Sequence, residues 1–235
     1  MAAKKPKTIY KGVIVAIDGP SGAGKSTVSR QLADALEGML LDTGGMYRSV
    51  AFFAMQEGIT RSTDLKKLAS RLEFDVDKDS KVLLVDGRDL GSKLRNEIVS
   101  RAASDISKFR QVREALTRKQ RRLAKKWARQ FPVVVEGRDI GTVVFPGAPF
   151  KFFVTASEEV RAQRRMAQLR KQGIQNVTLE KTLRENAARD KQDTTRKIAP
   201  LRVADDSVVV DTSSMGISQV VRFMHDHIRG RLNLQ

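Results

Sequence analysis

The sequence contains no cysteine, which excludes disulfide bonds, thiolate metal ligands and a cysteine nucleophile. This absence agrees with a reducing compartment. Histidine is nearly as scarce, with only His225 and His227 in 235 residues. Because residues two apart point to different faces of a helix, and a helix is predicted there, we expect no histidine metal site.

Long hydrophobic runs are also missing, since no apolar stretch approaches the about 18 residues that a membrane span requires. The basic stretch from Lys4 to Lys11 leads into only five apolar residues before Asp18, which is too few for a secretory signal. We therefore expect a cytoplasmic protein that does not associate with membranes.

Aromatic residues are sparse, with one tryptophan and two tyrosines. Acidic residues are also few relative to basic ones, 27 against 44, which gives a formal net charge of +17. Such a charge attracts polyanions. Much of it lies in residues 108–129, where Val112, Leu116, Leu123 and Trp127 recur at helical spacing, which predicts an amphipathic helix with a solvated basic face. Nucleic-acid contact by this helix is an alternative. Because no aromatic stripe could stack bases, we do not expect it to be the main function.

A glycine-rich loop near the N-terminus is the most informative segment that is present. It follows the apolar run Val13–Ile17 and Asp18, and precedes a helix predicted over Val28 to Leu36. Glycines let backbone N–H groups turn around a phosphate chain, a lysine reaches the terminal phosphates, and a serine hydroxyl suits a Mg²⁺ ion. The loop predicts binding of ATP and Mg²⁺, with Ser26 as the metal ligand, through Gly19, Pro20, Ser21, Gly22, Ala23, Gly24, Lys25, Ser26 and Thr27.

The apolar runs predict a parallel sheet of the α/β class. Each is followed by a plausible helix, the second of these over Met46 to about Gln56, and polar residues follow the strands where open α/β sheets bind their ligands. Two stretches interrupt this pattern: 60–104, in which 72–76 and 82–85 predict an antiparallel hairpin, and the polar 173–200, which predicts a mobile flap. The five predicted strands are 13–18, 39–42, 131–136, 151–154 and 207–211.

The chain closely resembles the bacterial cytidylate kinases over nearly its whole length. The segments that carry the resemblance occur in the family's order. They are IDGPSGAGKST at 17–27, LDTGGMYR at 41–48, RAAS at 101–104, VREAL at 112–116, EGRDIGTVVFP at 136–146, RAQRRMAQL at 161–169 and RDKQDTTRKIAPL at 189–201.

This resemblance implies a P-loop NTPase core with a five-stranded parallel sheet flanked by helices, an inserted NMP-binding subdomain and a short lid. It implies transfer of the ATP γ-phosphate to CMP or dCMP by a monomer. The expected division is a basic tail at 1–12, a core at 13–59, 105–172 and 201–235, the insertion at 60–104 and the lid at 173–200.

The resemblance also implies the pocket residues. The CMP site is expected at Thr43, Arg48, Ser104, Arg113, Arg138, Asp139, Arg189, Asp193 and Arg196, and the catalytic cations at Lys25, Arg138, Arg165 and Arg196. Asp139 would accept from the cytosine amino group, Arg113 and Ser104 would donate to the ring acceptors, Arg48 and Arg138 would hold the phosphate, and Asp193 with Arg189 would meet the ribose.

Several residues keep two interpretations. Arg161 and Arg164 are either a solvated helix face or ATP contacts, and the run from Arg189 to Arg196 could be surface ion pairs in a loop. Thr43 and Ser104 could cap helices as well as bind. Glu136 stands where many family members carry aspartate, so its role is left open, and Lys191 with Gln192 replaces more charged residues of some relatives.

Overall fold

The structure is a computed structural model that describes residues 10–232. The predicted basic tail therefore lies almost wholly outside the described residues. The centre of the described part is the predicted five-stranded parallel sheet, and its strands lie in the order β2-β6-β1-β7-β8. Its strands are β1 (Ile14–Asp18), β2 (Met39–Asp42), β6 (Val133–Glu136), β7 (Phe150–Thr155) and β8 (Val208–Asp211).

Alternate residues of the strands face two separate hydrophobic cores, because successive side chains of a strand point to opposite faces of the sheet. Val15 and Ile17 of β1 pack in the core that α1 (Lys25–Ala35) and α8 (Ile217–Leu232) cover. Ala16 lies in the other core, which α2 (Thr43–Gln56) and α5 (Arg110–Ala128) cover. The strands β1, β6 and β7 are thus buried on both faces, which explains their continuous apolar character, whereas the edge strand β8 exposes Val209.

Two helix predictions differ from the structure in detail. The second helix begins at Thr43, three residues before the predicted start, because the Asp42 side chain accepts a hydrogen bond from the Gly45 N–H and caps it. Thr43 is therefore the first residue of α2 and not its cap. The predicted basic helix exists as α5, but Arg113 and Gln120 on it are buried, so its polar residues are not all solvated.

The segment between α2 and α5 contains the predicted hairpin and one further short strand. Phe74 pairs with Val85 and Val76 with Leu83, and the edge strand pairs through Arg88. The segment comprises α3 (Ser62–Arg71), β3 (Phe74–Val76), β4 (Leu83–Val85), β5 (Arg88–Asp89), a 3-10 turn (Gly91–Arg95) and α4 (Glu97–Ile106).

The segment predicted as a flap contains a helix of 17 residues, α7 (Leu179–Thr195), which packs against α6 (Glu158–Lys171). Arg189 to Thr195 are therefore helical, with Arg196 as the C-cap residue, and they do not form a loop. Helical spacing brings residues three and four apart onto one face. The charged run is thereby turned into a polar face directed at the sheet's carboxyl edge.

The register of the sheet brings the ends of three strands together. Asp42 of β2 lies opposite Glu136 of β6, and Ile17 of β1 lies opposite the same residue. Asp18 follows on the central strand. The carboxyl edge of the sheet, where α/β proteins bind ligands, therefore carries three neighbouring acids beside the glycine-rich loop.

Candidate active site

The loop from Gly19 to Gly24 adopts backbone conformations that its glycines make accessible. Gly19, Gly22 and Gly24 have φ angles of 146°, 77° and 89°, a region that side chains disfavour. A Cβ on Gly19 would lie 2.0 Å from the carbonyl oxygen of Val154. Only glycine therefore lets the loop lie this close to β7 while it leads into α1.

Lys25 begins α1 and turns its ammonium group back into the loop. Its Nζ donates a hydrogen bond of 2.6 Å to the carbonyl oxygen of Pro20, and the side chain is buried. Burial lowers the pKa of this ammonium group, and the nearby Arg138 guanidinium lowers it further. A buried cation whose acceptor is a neutral carbonyl is electrostatically suited to an anionic ligand.

Asp18 organises the segment that follows β6, a role that sequence reasoning missed. Its two carboxylate oxygens accept hydrogen bonds from the backbone N–H groups of Ile140 at 2.8 Å and Gly141 at 2.7 Å. Burial raises the pKa of this carboxyl group to about 6, although both hydrogen bonds oppose the shift. The carboxylate fixes the backbone immediately after Arg138 and Asp139.

Glu136 ends β6 beside the start of α1. Burial raises the pKa of its carboxyl group, and the Asp42 charge adds to this, while Lys25 and the Ser26 hydroxyl oppose it. Its Oε2 atom is buried without a hydrogen-bond partner within residues 10–232. A buried, unpartnered carboxylate oxygen beside a phosphate loop is a feature that a cation or a proton can satisfy.

Thr43 does not direct its hydroxyl proton into the pocket. Its Oγ1 donates a hydrogen bond of 2.7 Å to the carbonyl oxygen of Glu136, and the residue is buried. Close by, Arg48 pairs through Nη2 with Asp42 at 2.6 Å. The Nε atom of Arg48 is buried and has no partner in the described part of the chain, so the guanidinium retains an unused donor for an anion.

A buried ion pair forms the floor of the pocket. Nη2 of Arg113 lies 2.5 Å from Oδ2 of Asp139, and both side chains are at most 7% exposed. Arg196 lies 3.6 Å from the other Asp139 oxygen. The ring of Tyr47 packs against the Arg113 guanidinium at 5.5 Å, and burial raises the pKa of its phenol to about 12.

The residues of α7 face this floor from the opposite side. Asp193 accepts from Arg138 at 3.0 Å and lies 3.5 Å from Arg196. Arg189 donates to the Ser21 hydroxyl at 3.2 Å, which links α7 directly to the phosphate loop. Ser104 lies within α4, so it caps no helix, and it accepts hydrogen bonds from Gln192 of α7.

The arginines of α6 are not a solvated face. Arg161 is buried, donates to the carbonyl oxygens of Ala156 and Ser21, and pairs with Asp190. Arg164 donates 2.7 Å and 2.8 Å hydrogen bonds to the Thr212 carbonyl and hydroxyl oxygens. Of the two interpretations that the sequence left open, the solvated face does not hold for either residue, because Arg161 contacts the phosphate loop and Arg164 contacts the loop after β8.

Arg165, which the resemblance implies as a catalytic cation, lies on α6. It pairs with Glu97, the first residue of α4, which also lies 3.6 Å from Arg189. Glu97 thus joins the insertion to both long helices beyond β7. No sequence signal identified this acid, since it stands 68 residues from Arg165 in the chain.

The site therefore assembles cations and acids from four parts of the chain at one sheet edge. A sequence model of the family described as cytidylate kinase matches residues 15–230. The chain is 43% identical over 225 residues to a cytidylate kinase of Citrifermentans bemidjiense, covering 94% of each chain. It is 45% identical over 213 residues to a cytidylate kinase of Rhodococcus jostii, covering 89% of this chain and 91% of the other.

The chain belongs to the cytidylate kinase family. It is thus an enzyme of the phosphotransferase class that uses ATP and a nucleotide acceptor. A crystal structure of an uncharacterized protein from Eubacterium ventriosum shares the fold, with a TM-score of 0.50 and 12% identity over 92% of this chain and 98% of the other. The predicted family and fold are confirmed.

Three further observations concern the membrane, metal and histidine features of this cytidylate kinase family member. None of the helices within residues 10–232 has the length and apolar character that crossing a bilayer requires. The same residues contain no group of three histidines or acids placed to hold a metal ion. On α8, the ring of His225 packs against Tyr10 and that of His227 against Phe152, so they have separate environments.

Proposed function

We propose that this enzyme transfers the γ-phosphate of ATP to the phosphate of CMP or dCMP and releases ADP with CDP or dCDP. The observation that carries the proposal is the buried Arg113–Asp139 pair, which lies beside Arg196. A cytosine ring offers one amino donor and two acceptors. The Asp139 carboxylate, which accepts hydrogen bonds, and the Arg113 guanidinium, which donates them, match that pattern.

Asp139 would accept from the cytosine amino group, while Arg113 and the Ser104 hydroxyl would donate to the ring acceptors. Asp139 and Arg113 are buried and already hydrogen-bond to each other, and the base would use the acceptor and donor positions that this pair leaves free. Uracil presents a carbonyl where cytosine carries the amino group. A site that pairs polar groups rejects such a mismatch because those groups stay buried and unpaired.

Arg48 and Arg138 would hold the CMP phosphate, and Asp193 with Arg189 would meet the ribose. The unpartnered Nε atom of Arg48 supports the first assignment, because an unused buried donor is costly without an anion. Arg138 and Asp193 are already paired at 3.0 Å. Substrate would therefore enter a site whose charges are held in place by one another.

ATP would bind through the loop Gly19–Thr27, with its β- and γ-phosphates against Lys25 and the start of α1. The residues present fit Mg²⁺ in part, since the Ser26 hydroxyl and the unpartnered Glu136 Oε2 lie together and the ion usually keeps waters and substrate phosphates as ligands. The Ser26 hydroxyl and Glu136 would hold the ion, and its charge would stabilise the negative charge of the transferring phosphate.

Direct transfer between two phosphates requires alignment and positive charge, and no general base. Lys25, Arg138, Arg165 and Arg196 would supply that charge from α1, the end of β6, α6 and the end of α7. Arginines that reach a transferring phosphate contribute about 10³- to 10⁵-fold in rate in related enzymes. The paired helices α6 and α7 would exclude water, which otherwise accepts the phosphate.

We also propose that the enzyme is a cytoplasmic monomer with no main role in nucleic-acid binding. On the basic helix α5, Lys119 and Arg122 pair with Glu73, and Lys126 pairs with Asp75. These contacts neutralise part of the face that the sequence offered to polyanions. A salt-dependent RNA affinity with RNA-stimulated ATP turnover would contradict this proposal.

The test of the proposed function is a coupled assay of ADP release with ATP and Mg²⁺, offering CMP, dCMP, UMP, AMP and GMP in parallel. We expect turnover confined to the cytosine nucleotides. Arg48→Met should raise the KM for CMP about 10- to 100-fold, because hydrogen bonds to charged groups are lost. Arg184→Met is the matched control, since Arg184 is 73% exposed and pairs with the exposed Glu180.

Equal turnover of all five nucleotides would refute the assignment of the cytosine pocket. A KM for CMP that is the same in both arginine variants would refute the assignment of Arg48 to the phosphate.

A further inference from the structure

One side chain that the proposed reaction does not use reaches across the pocket from α7 to α4. Nε2 of Gln192 lies 2.6 Å from Oγ of Ser104 and 2.9 Å from its carbonyl oxygen. The two residues stand 88 positions apart in the chain. Gln192 neighbours Asp193 on α7, so the contact lies at the edge of the assembled site.

The direction of these hydrogen bonds is fixed by chemistry. A backbone carbonyl oxygen can only accept, so the end of the Gln192 amide that lies against it must be the NH₂ group. The same NH₂ group therefore donates its other hydrogen to the Ser104 hydroxyl oxygen. The Ser104 carbonyl oxygen by itself thus fixes which end of the Gln192 amide is the NH₂ group.

A serine hydroxyl has one proton and two lone pairs. Donation from Gln192 uses a lone pair, and within residues 10–232 the Ser104 hydroxyl donates no hydrogen bond of its own. Its proton is therefore available to the ligand. The backbone of Ser104 is held too, because its carbonyl oxygen also accepts from the Ser107 hydroxyl at 2.7 Å.

Ser104 is linked to the proposed base site through the same turn. The carbonyl oxygen of Ser107 accepts from Arg113 at 3.3 Å, and Arg113 pairs with Asp139. Gln192, Ser104, Ser107, Arg113 and Asp139 thus form one connected polar chain. Gln192 stands at one end of this chain and Asp139 at the other.

We infer that Gln192 is a positioning residue for base selectivity: it holds the Ser104 hydroxyl so that its proton points to a ring acceptor of cytosine. This inference rests on the proposed function. At the N3 position cytosine has an acceptor, whereas uracil has an N–H donor. A Ser104 hydroxyl that donates its proton favours cytosine over uracil. The preference is moderate, because the second lone pair of the hydroxyl oxygen can still accept from the N–H group of uracil.

The test reverses the polarity of the contact. Gln192→Glu places a carboxylate against Ser104, which can only accept and so takes the hydroxyl proton away from the base. We expect the ratio of kcat/KM for CMP to that for UMP to fall about 3- to 10-fold, the value of one neutral hydrogen bond. Gln192→Arg keeps N–H donors at the position and should hold this ratio within about twofold of the wild type.

The matched control is Gln175→Glu, the same chemical change at an exposed position between α6 and α7. It should leave the ratio unchanged. In a Ser104→Ala background, Gln192→Glu should also leave the ratio unchanged, because the group through which it acts is gone. If Gln192→Glu does not fold, Gln192→Ala with CMP and UMP affinities from calorimetry tests the same direction without added charge.

A fall in kcat/KM that is equal for CMP and UMP would mean a structural role and would overturn the inference. So would an undiminished effect of Gln192→Glu in the Ser104→Ala background. Failure of the proposed function is visible separately, since the wild type would then show no preference for CMP over UMP.

Discussion

Asp139→Asn tests whether the buried ion pair holds the base pocket together. The substitution keeps the volume of the side chain and removes its charge. The Arg113 guanidinium, 2.5 Å away and 5% exposed, would lose its partner, and Arg196 at 3.6 Å would lose a second acid. Leaving a buried charge uncompensated costs about 3–5 kcal/mol, which is a large part of the about 5–15 kcal/mol that stabilises a typical domain.

The assay is urea unfolding of the ligand-free enzyme, followed by CMP turnover at a temperature where the variant is folded. We expect the free energy of unfolding to fall by about 3 kcal/mol or more, within the range for broken buried pairs. CMP turnover should fall as well, because Asn replaces one of the two carboxylate oxygens, which accept hydrogen bonds, by an NH₂ group, which donates them. Both readouts depend on the same carboxylate.

Asp75→Asn provides the matched control. It makes the same chemical change in an ion pair with Lys126, where the two side chains are 44% and 58% exposed. Exposed pairs contribute about 0–1 kcal/mol. If Asp139→Asn lowers the free energy of unfolding no more than Asp75→Asn does, the Arg113–Asp139 pair does not stabilise the pocket.

Two further predictions concern the carboxyl edge of the sheet. Lys25→Met should lower kcat about 10²- to 10³-fold with little change in the KM for CMP, as expected for a group that stabilises the transferring phosphate. The control Lys67→Met, at an 80% exposed lysine, should change neither kcat nor KM. Equal effects of the two substitutions would refute the role of Lys25. Because burial raises the pKa of Asp18 from 3.8 to about 6, its contribution to stability is fully present below pH 3.8 and is lost as pH rises through 6, by about 3 kcal/mol. In Asp18→Asn this part of the pH dependence of urea unfolding should vanish, and an unchanged slope between pH 4 and 7 would contradict the burial of the carboxylate.

The local pattern of the sequence determined the strands and the phosphate loop. Each apolar run has the length of a strand and is followed by polar residues. This local pattern was enough to predict the sheet and its carboxyl edge without knowledge of the helices that pack beside them. The glycines of the loop could be interpreted from residue type alone, because glycine adopts positive φ angles that other residues disfavour, as Gly19 does. The resemblance to the family then supplied the expected phosphate acceptor, CMP or dCMP, and the expected pocket residues.

The partners of the charged side chains were decided only by the tertiary structure. A run such as Arg189 to Arg196 has the same composition in a solvated loop as on a helix that faces a pocket. Helical spacing and the packing of α7 then pair Asp193 with Arg138 and Gln192 with Ser104. Likewise Thr43 turns its hydroxyl to the Glu136 carbonyl, and Glu97 meets Arg165 from a distant part of the chain.

The physical reason is the range of the interactions. Strand and loop preferences arise from torsion angles and from neighbours a few residues away, which the sequence displays directly. The energy of a charge depends on its burial and on which opposite charge lies within a few ångströms. Both are set by chain segments that are distant in sequence, so the sequence determined which groups form the site and the fold decided what each of them contacts.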